Sequence, residues 1–300
     1  MIKRNINGIL LFNKPIGISS NAALQRVKRL FQANKAGHTG SLDKLASGLL
    51  PICLGEATKL SNFLLTADKH YETTLTLGFT TLTGDSEGEI LQTRPVDNIS
   101  REQIDKIVQS FIGPNDQVPP MYSALKHKGQ PLYKLARQGK TIERQPRTIN
   151  IYDIEVQSFT DNYLSIKVHC SKGTYIRTLA EDIGEALGCG AFVSYLHRIR
   201  VGSYQNMVDF ATLEQQTDLE ALDKLLIPME TAISHWPKIN LSTELTYYVQ
   251  LGQAVQVPQA PTDGWVQLFN EKVFLGIGQI LEDGRVTPKR LINFDDSEQK

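Results

Sequence analysis

Three stretches of this 300-residue chain alternate apolar and polar residues with the period of a β-strand: YETTLTLGFTT at 71–81, INIYDIEVQSF at 149–159 and YLSIKVHC at 163–170. Asp161-Asn162 joins the last two as a turn, so they form a hairpin. GILLF at 8–12, LLPICLG at 49–55 and AFVSYLHRIRVGSY at 191–204 add further strands. Helical signals lie between them. Ser19 or Ser20 can cap ALQRVKRLF, Ser100 and Gln103 make a capping box for REQIDKIVQSFIG, EATKLSNFLL is amphipathic, and SKGTYIRTLAEDIGEALG passes into a helix that closes at Gly188. This order lacks the regular βαβ alternation of a doubly wound sheet, which makes the fold class α+β. A boundary falls near HWPKI at 235–239, dividing residues 1–234 from 235–300. Beyond it, a short helix around LTYYVQLG and the strands QAVQV, GWVQLF, KVFLGIGQILEDG and RVTPKRL describe a small β-barrel-like module.

The chain carries 32 Lys and Arg against 32 Asp and Glu, but the balance of zero conceals a pattern. Residues 1–70 hold ten basic against three acidic residues and residues 121–150 seven against one, whereas residues 201–300 hold seven against fourteen. Basic charge gathered into two segments suits a polyanion surface if the fold brings them together; solvated helix faces are the plainer alternative. The first apolar run, before Asn13, is too short for a membrane span or a secretory signal, so the chain is expected in the cytoplasm, off the membrane. Cys53, Cys170 and Cys189 stand apart with no partner spacing, as buried thiols in a reducing compartment do, and no cluster suggests a metal.

GHTGSLDKLASGLLP at 37–51 packs one histidine, one aspartate and three glycines into a single stretch. Neither GxxxxGK[ST] nor GxGxxG is present, so it is no nucleotide phosphate cradle. The glycines allow close approach of a ligand to the backbone. Read alone, Asp43 suits a turn cap better than a catalyst, and His38 reads as an exposed loop residue. Tyr71 opens a strand, where tyrosine is most often packing, although its ring could stack on a base. Arg177, in CSKGTYIRT, would ordinarily be a surface ion-pair residue.

Taken together these pieces are specific. Lys14-Pro15, GHTGSLDKLASGLLPICLGEATKL, DKHYE at 68–72, MYSALKHKGQPLY at 121–133 and CSKGTYIRTLAEDIGEALGCGA at 170–191 resemble the TruB-type tRNA pseudouridine synthases in order and spacing, over nearly the whole chain. The resemblance implies a mixed, mainly antiparallel sheet in the catalytic domain and a C-terminal RNA-binding domain of PUA type. It implies isomerisation of uridine to pseudouridine at position 55 of the tRNA T-loop, with no cofactor and no metal. The T-arm of tRNA is then the partner, a monomer suffices, and the basic segments hold T-arm phosphates. Asp43 matches the family's nucleophile, Arg177 the arginine that pairs with it and lowers its pKa, and Tyr71 the tyrosine that stacks on the base and serves the C5 proton. Tyr175 and Leu196 match the lining of the uracil pocket, and His38 a residue that fills the space left by the flipped base. The chain departs from the pattern at Lys44, where proline is usual, at Ser41, where a smaller residue is common, and at His197, where arginine is usual. Lys44 lends what weight there is to the alternative, a non-catalytic tRNA-binding or folding protein on the same scaffold.

Overall fold

The computed structural model describes residues 3–293. Strand β1 (Gly8–Lys14) stops at Pro15, and Ser19 caps helix α1 (Ser20–Leu30) by accepting the Ala22 N–H at 3.1 Å. The glycine-rich stretch then forms β2 (Ala36–His38) and β3 (Ser47–Leu54), with β1 and β2 both antiparallel to β3. The helix expected at 56–65 is split into a 3₁₀ turn, Gly55–Leu60, and α2 (Ser61–Thr66). The strand expected at 71–81 is divided too. β4 (Lys69–Leu77) ends at Gly78, whose φ of +90° redirects the chain into β5 (Phe79–Thr81), the partner of β6 (Ile90–Thr93). Ser100 caps α3 (Arg101–Ser110) through the Gln103 N–H.

The next strand, β7 (Gly113–Gln117), has no alternation to announce it and exists because it pairs with β10 (Arg147–Thr160). Between them lie the short strands β8 (Lys126–His127) and β9 (Gln130–Pro131) and helix α4 (Leu132–Ala136). β10 and β11 (Tyr163–Cys170) form the expected hairpin, with Asp161 at φ +54° in its turn. Helix α5 (Ile176–Ala186) closes at Gly188, and β12 (Ala191–Val201) follows, then the short helices α6 (Phe210–Glu214) and α7 (Leu219–Asp223).

These strands make one sheet in the order β1-β3-β12-β4-β11-β10-β7, with β2 on β3. Every pairing is antiparallel except β3 with β12, which run parallel only at Ser47–His197 and Gly48–Arg198. The mixed, mainly antiparallel α+β sheet is thus present. One face packs Leu75, Ile154, Ile166 and Val168 against Val27, Ile104, Val108, Leu179 and Ile183 of α1, α3 and α5.

A second core lies in a four-stranded sheet, β13 (Lys238–Asn240), β14 (Trp265–Asn270), β15 (Val273–Ile280) and β16 (Val286–Leu291), covered by α8 (Thr243–Gln250). Of the expected strand QAVQV, only a bridge from Val255 to Val286 forms. The expected C-terminal unit extends to residue 300, and 294–300 lie outside the described residues. A further apolar cluster, including Leu60, Ile233, Phe269, Phe274 and Ile277, joins the two parts. Reciprocal bonds close the seam: Lys59 Nζ donates to the Leu291 carbonyl at 2.7 Å, and Arg290 Nη1 to the Lys59 carbonyl at 2.6 Å.

Candidate active site

The loop from Thr39 to Gly48 is fixed from three sides. The Thr39 N–H donates to the Pro51 carbonyl, Ser20 Oγ at the start of α1 accepts the Leu42 N–H at 2.7 Å, and the Gly17 N–H donates to the Lys44 carbonyl at 2.7 Å. Gly48 takes φ +103° and presses on β12, where a Cβ would lie 2.3 Å from the Arg198 carbonyl oxygen. Asp43 stands at the head of this loop, and its side chain caps no backbone N–H among the described residues: its carboxylate meets Arg177, Nε to Oδ2, at 3.0 Å.

Arg177 comes from the first turn of α5 and is almost enclosed. Nη1 donates to the Thr83 carbonyl at 2.8 Å and Nη2 to the Tyr122 carbonyl at 2.7 Å. A second carboxylate, Asp85, lies 3.4 Å from Nη1 and is 2% exposed. Asp85 is itself held by Thr83 Oγ1 and by the Glu87 N–H. Sequence reasoning missed Asp85, because GDSEG reads as an ordinary turn and aspartate is what a turn recruits.

A cavity of about 380 Å³ opens beside this pair, and Asp43, Tyr71, Tyr175, Arg177 and Leu196 all line it. Tyr71 and Leu196 project from β4 and β12 and are buried. Tyr175 is fixed by Gln117 at the end of β7, whose side chain accepts its N–H at 2.8 Å and donates to its carbonyl at 3.0 Å. Lys69 and Arg198, which sequence reasoning did not single out, complete the wall. No signal other than their strand positions could have found them.

His38 is not in the cavity lining, and it is not an exposed loop residue. It ends β2 opposite Ile52, half-buried, with a buried Nδ1 that has no partner among the described residues. Burial and, behind it, Arg198 hold its pKa down, so the ring is neutral at pH 7. His197 points away from the cavity and shares a hydrogen bond of 2.8 Å with Ser47 Oγ.

The electrostatics differ from expectation in one respect. Asp43 leaves 44% of its side chain open to the cavity, yet its surroundings are mostly protein. Loss of solvation pushes its carboxyl pKa up; Arg177 and Lys14 oppose this and Asp85 adds to it, and the net direction is upward. Arg177 does favour the ionised form, as expected, but burial outweighs it. Lys14 is fully enclosed, donating to the Pro15 and Ile18 carbonyls, and burial lowers it to about 8. Lys69 donates to the Leu65 and Ala67 carbonyls and is likewise lowered by burial to about 8. The site therefore combines one accessible carboxylate, a clamped guanidinium, two aromatic rings and an apolar wall, a set able to hold a flat polar ring beside a nucleophile.

Three family profiles match along the chain. Residues 28–176 match the TruB family pseudouridylate synthase N-terminal domain, 177–234 the tRNA pseudouridylate synthase B C-terminal domain, and 237–292 the C-terminal region of pseudouridine synthase II TruB. The tRNA pseudouridine synthase B of Nitrosococcus oceani is 56% identical over 294 residues, covering 96% of each chain. That of Coxiella burnetii is 54% identical over 298 residues, 97% of this chain and 96% of the relative. Among solved structures, a chain of the Cbf5-Nop10-Gar1 complex superposes with a TM-score of 0.72 at 25% identity, covering 95% of this chain and 84% of that one. The chain belongs to the TruB family of pseudouridylate synthases.

Proposed function

We propose that this pseudouridine synthase isomerises the T-loop uridine of tRNA at position 55, flipping the base into the cavity and using Asp43 as its nucleophile. The observation that carries the reading is Asp43 held by Arg177 at the edge of a cavity walled by Tyr71, Tyr175 and Leu196. The relatives named tRNA pseudouridine synthase B support tRNA as the substrate.

In the reaction the bond from ribose C1′ to uracil N1 breaks, the base turns, C5 joins C1′, and the C5 proton is lost while N1 gains one. The sum is an isomerisation, with no net redox change. A uridine inside an RNA loop must leave its stack to reach Asp43, at a cost of about a few kcal/mol. The ionised carboxylate attacks C1′, adds to C6, or acts in a route through elimination to a glycal; each route needs this group beside the nucleotide. Arg177 favours its charged form and aims it. Tyr71 lies under the base and serves the C5 proton, while the Leu196 side excludes water and strengthens polar contacts to the uracil edge. His38, outside the cavity at the entrance of the loop, is placed to fill the space the base has left. The part of the chain from residue 235 acts as a PUA-type RNA-binding unit, and one protein chain serves one tRNA in the cytoplasm.

The test uses unmodified tRNA transcript tritiated at uridine C5. Wild type releases tritium to water, a transcript with the T-loop uridine changed to cytidine releases none, and Asp43→Asn releases none. Full release by Asp43→Asn would remove the nucleophile, and no release by wild type would favour the non-catalytic binding protein.

A further inference from the structure

Arg198 heads the largest completely enclosed side chains, at 1% exposure, and among the described residues no carboxylate lies within ion-pair distance of it. Its partners are neutral. Nε donates to the Leu49 carbonyl at 2.7 Å and Nη2 to the Gly40 carbonyl at 2.9 Å, and the guanidinium lies beside the Tyr71 phenol. Tyr71 and Arg198 stand directly opposite each other across the β4–β12 ladder, and both line the cavity. Buried arginines are ordinarily matched by carboxylates, so this arrangement has another use.

A guanidinium only donates, and it does not lose its proton. Towards Arg198 the Tyr71 oxygen can therefore only accept, which leaves the single phenol proton free to point towards whatever occupies the cavity. The same guanidinium grips Gly40, three residues before Asp43. One planar group thus ties the phenol and the loop of the nucleophile together.

We propose that Arg198 is a positioning residue for the isomerisation, acting through Tyr71: it fixes the phenol as a donor towards the base and keeps it in register with the Asp43 loop. The proposal rests on the isomerase reading above. Lysine cannot replace the fork, because one ammonium cannot span Leu49, Gly40 and Tyr71 with planar geometry.

The test places 3-fluorotyrosine at position 71 of the full chain and follows its titration by fluorine NMR, alongside tritium release, in wild type, Arg198→Met and Arg198→Lys. The charged and titratable groups facing the phenol are Arg198, Cys170 and Asp43, with Lys69 on the same cavity wall. Burial already raises the phenol and Arg198 opposes it, so Arg198→Met raises it further. Turnover falls about 100-fold with KM within about 3-fold, and Arg198→Lys lies between on both measures. A slowed variant whose phenol titrates as in wild type would make Arg198 a mere buttress of the loop and overturn the proposal, as would a full-rate Arg198→Met. If Arg198→Met does not fold, Arg198→Lys carries the same comparison. A wild type that releases no tritium removes the isomerase reading itself, an outcome distinct from full activity in the variant.

Discussion

At the scale of single residues, the site is a chain of charges: Asp43, Arg177, Asp85. Asp43 and Arg177 were legible from their motifs, whereas Asp85 was hidden in a turn whose composition already accounted for it. The direction of the Asp43 pKa was not legible at all, since it depends on how much protein surrounds the loop. That direction predicts the acid side of the pH profile. Asp43 must be ionised to act, and its pKa is raised, so tritium release falls on acidification at a pH above the ordinary aspartate value of 3.8. Arg177 lowers the Asp43 pKa and Asp85 raises it, so Arg177→Met moves this limb to higher pH and Asp85→Asn to lower pH, measured by single-turnover release from pH 4 to 8. The same sign bears on stability. A carboxyl whose folded pKa is raised opposes folding once the pH rises past its unfolded pKa, so at pH 7 the Asp43→Asn variant melts no lower than wild type. A clear loss of melting temperature would make the carboxylate a structural group.

At the scale of elements, alternation announced β10, β11 and the start of β4, and capping residues announced α1 and α3. What it missed has physical reasons. β7 is strand only because β10 offers it an edge, and β4 breaks at Gly78 because its φ is positive, a choice that single-residue alternation does not record. The loop reading of His38 fails in the same way, since β3 lends its edge to β2 and takes His38 into the sheet. The junction of β3 and β12 is the element on which the site depends most. Among the described residues it is the one parallel pairing between strands of the main sheet, only two residue pairs long, and it brings Arg198 against the Asp43 loop. Gly48 makes it possible, and Gly48→Ala brings both a left-handed φ and a Cβ within 2.3 Å of backbone. The expected loss is about 3 kcal/mol in urea unfolding, together with loss of tritium release. A variant within about 0.5 kcal/mol of wild type would mean that this junction yields easily.

At the scale of the whole molecule, the structure separates the two basic segments that the sequence treated alike. In the first, Lys14 and Lys69 are buried and Arg4, Arg26 and Lys59 are paired with Asp223, Glu214 and Glu56, which leaves Lys3, Arg29, Lys35 and Lys44 exposed. In the second, Lys126, Lys128, Lys134, Arg137, Lys140 and Arg147 are exposed, and Ser123, Ala124 and Leu125 of the same segment line the catalytic cavity. The phosphate-binding surface is expected mainly on residues 121–150, where six exposed cations adjoin the cavity-lining residues 123–125, with Lys44 of the first segment beside Asp43. Each cation that meets an RNA phosphate releases counterions and steepens the fall of affinity with salt. Changing Lys126, Lys128 and Lys134 together to glutamine should make the slope of log K against log salt for tRNA shallower by about 2, at roughly 0.7 per lost contact. Arg26→Gln, whose guanidinium is already paired with Glu214, should leave the slope within about 0.3 of wild type. The reverse pattern, a shallower slope for Arg26→Gln and none for the triple variant, would move the phosphate track to the face of α1, and the RNA would then approach Asp43 from the other side of its loop.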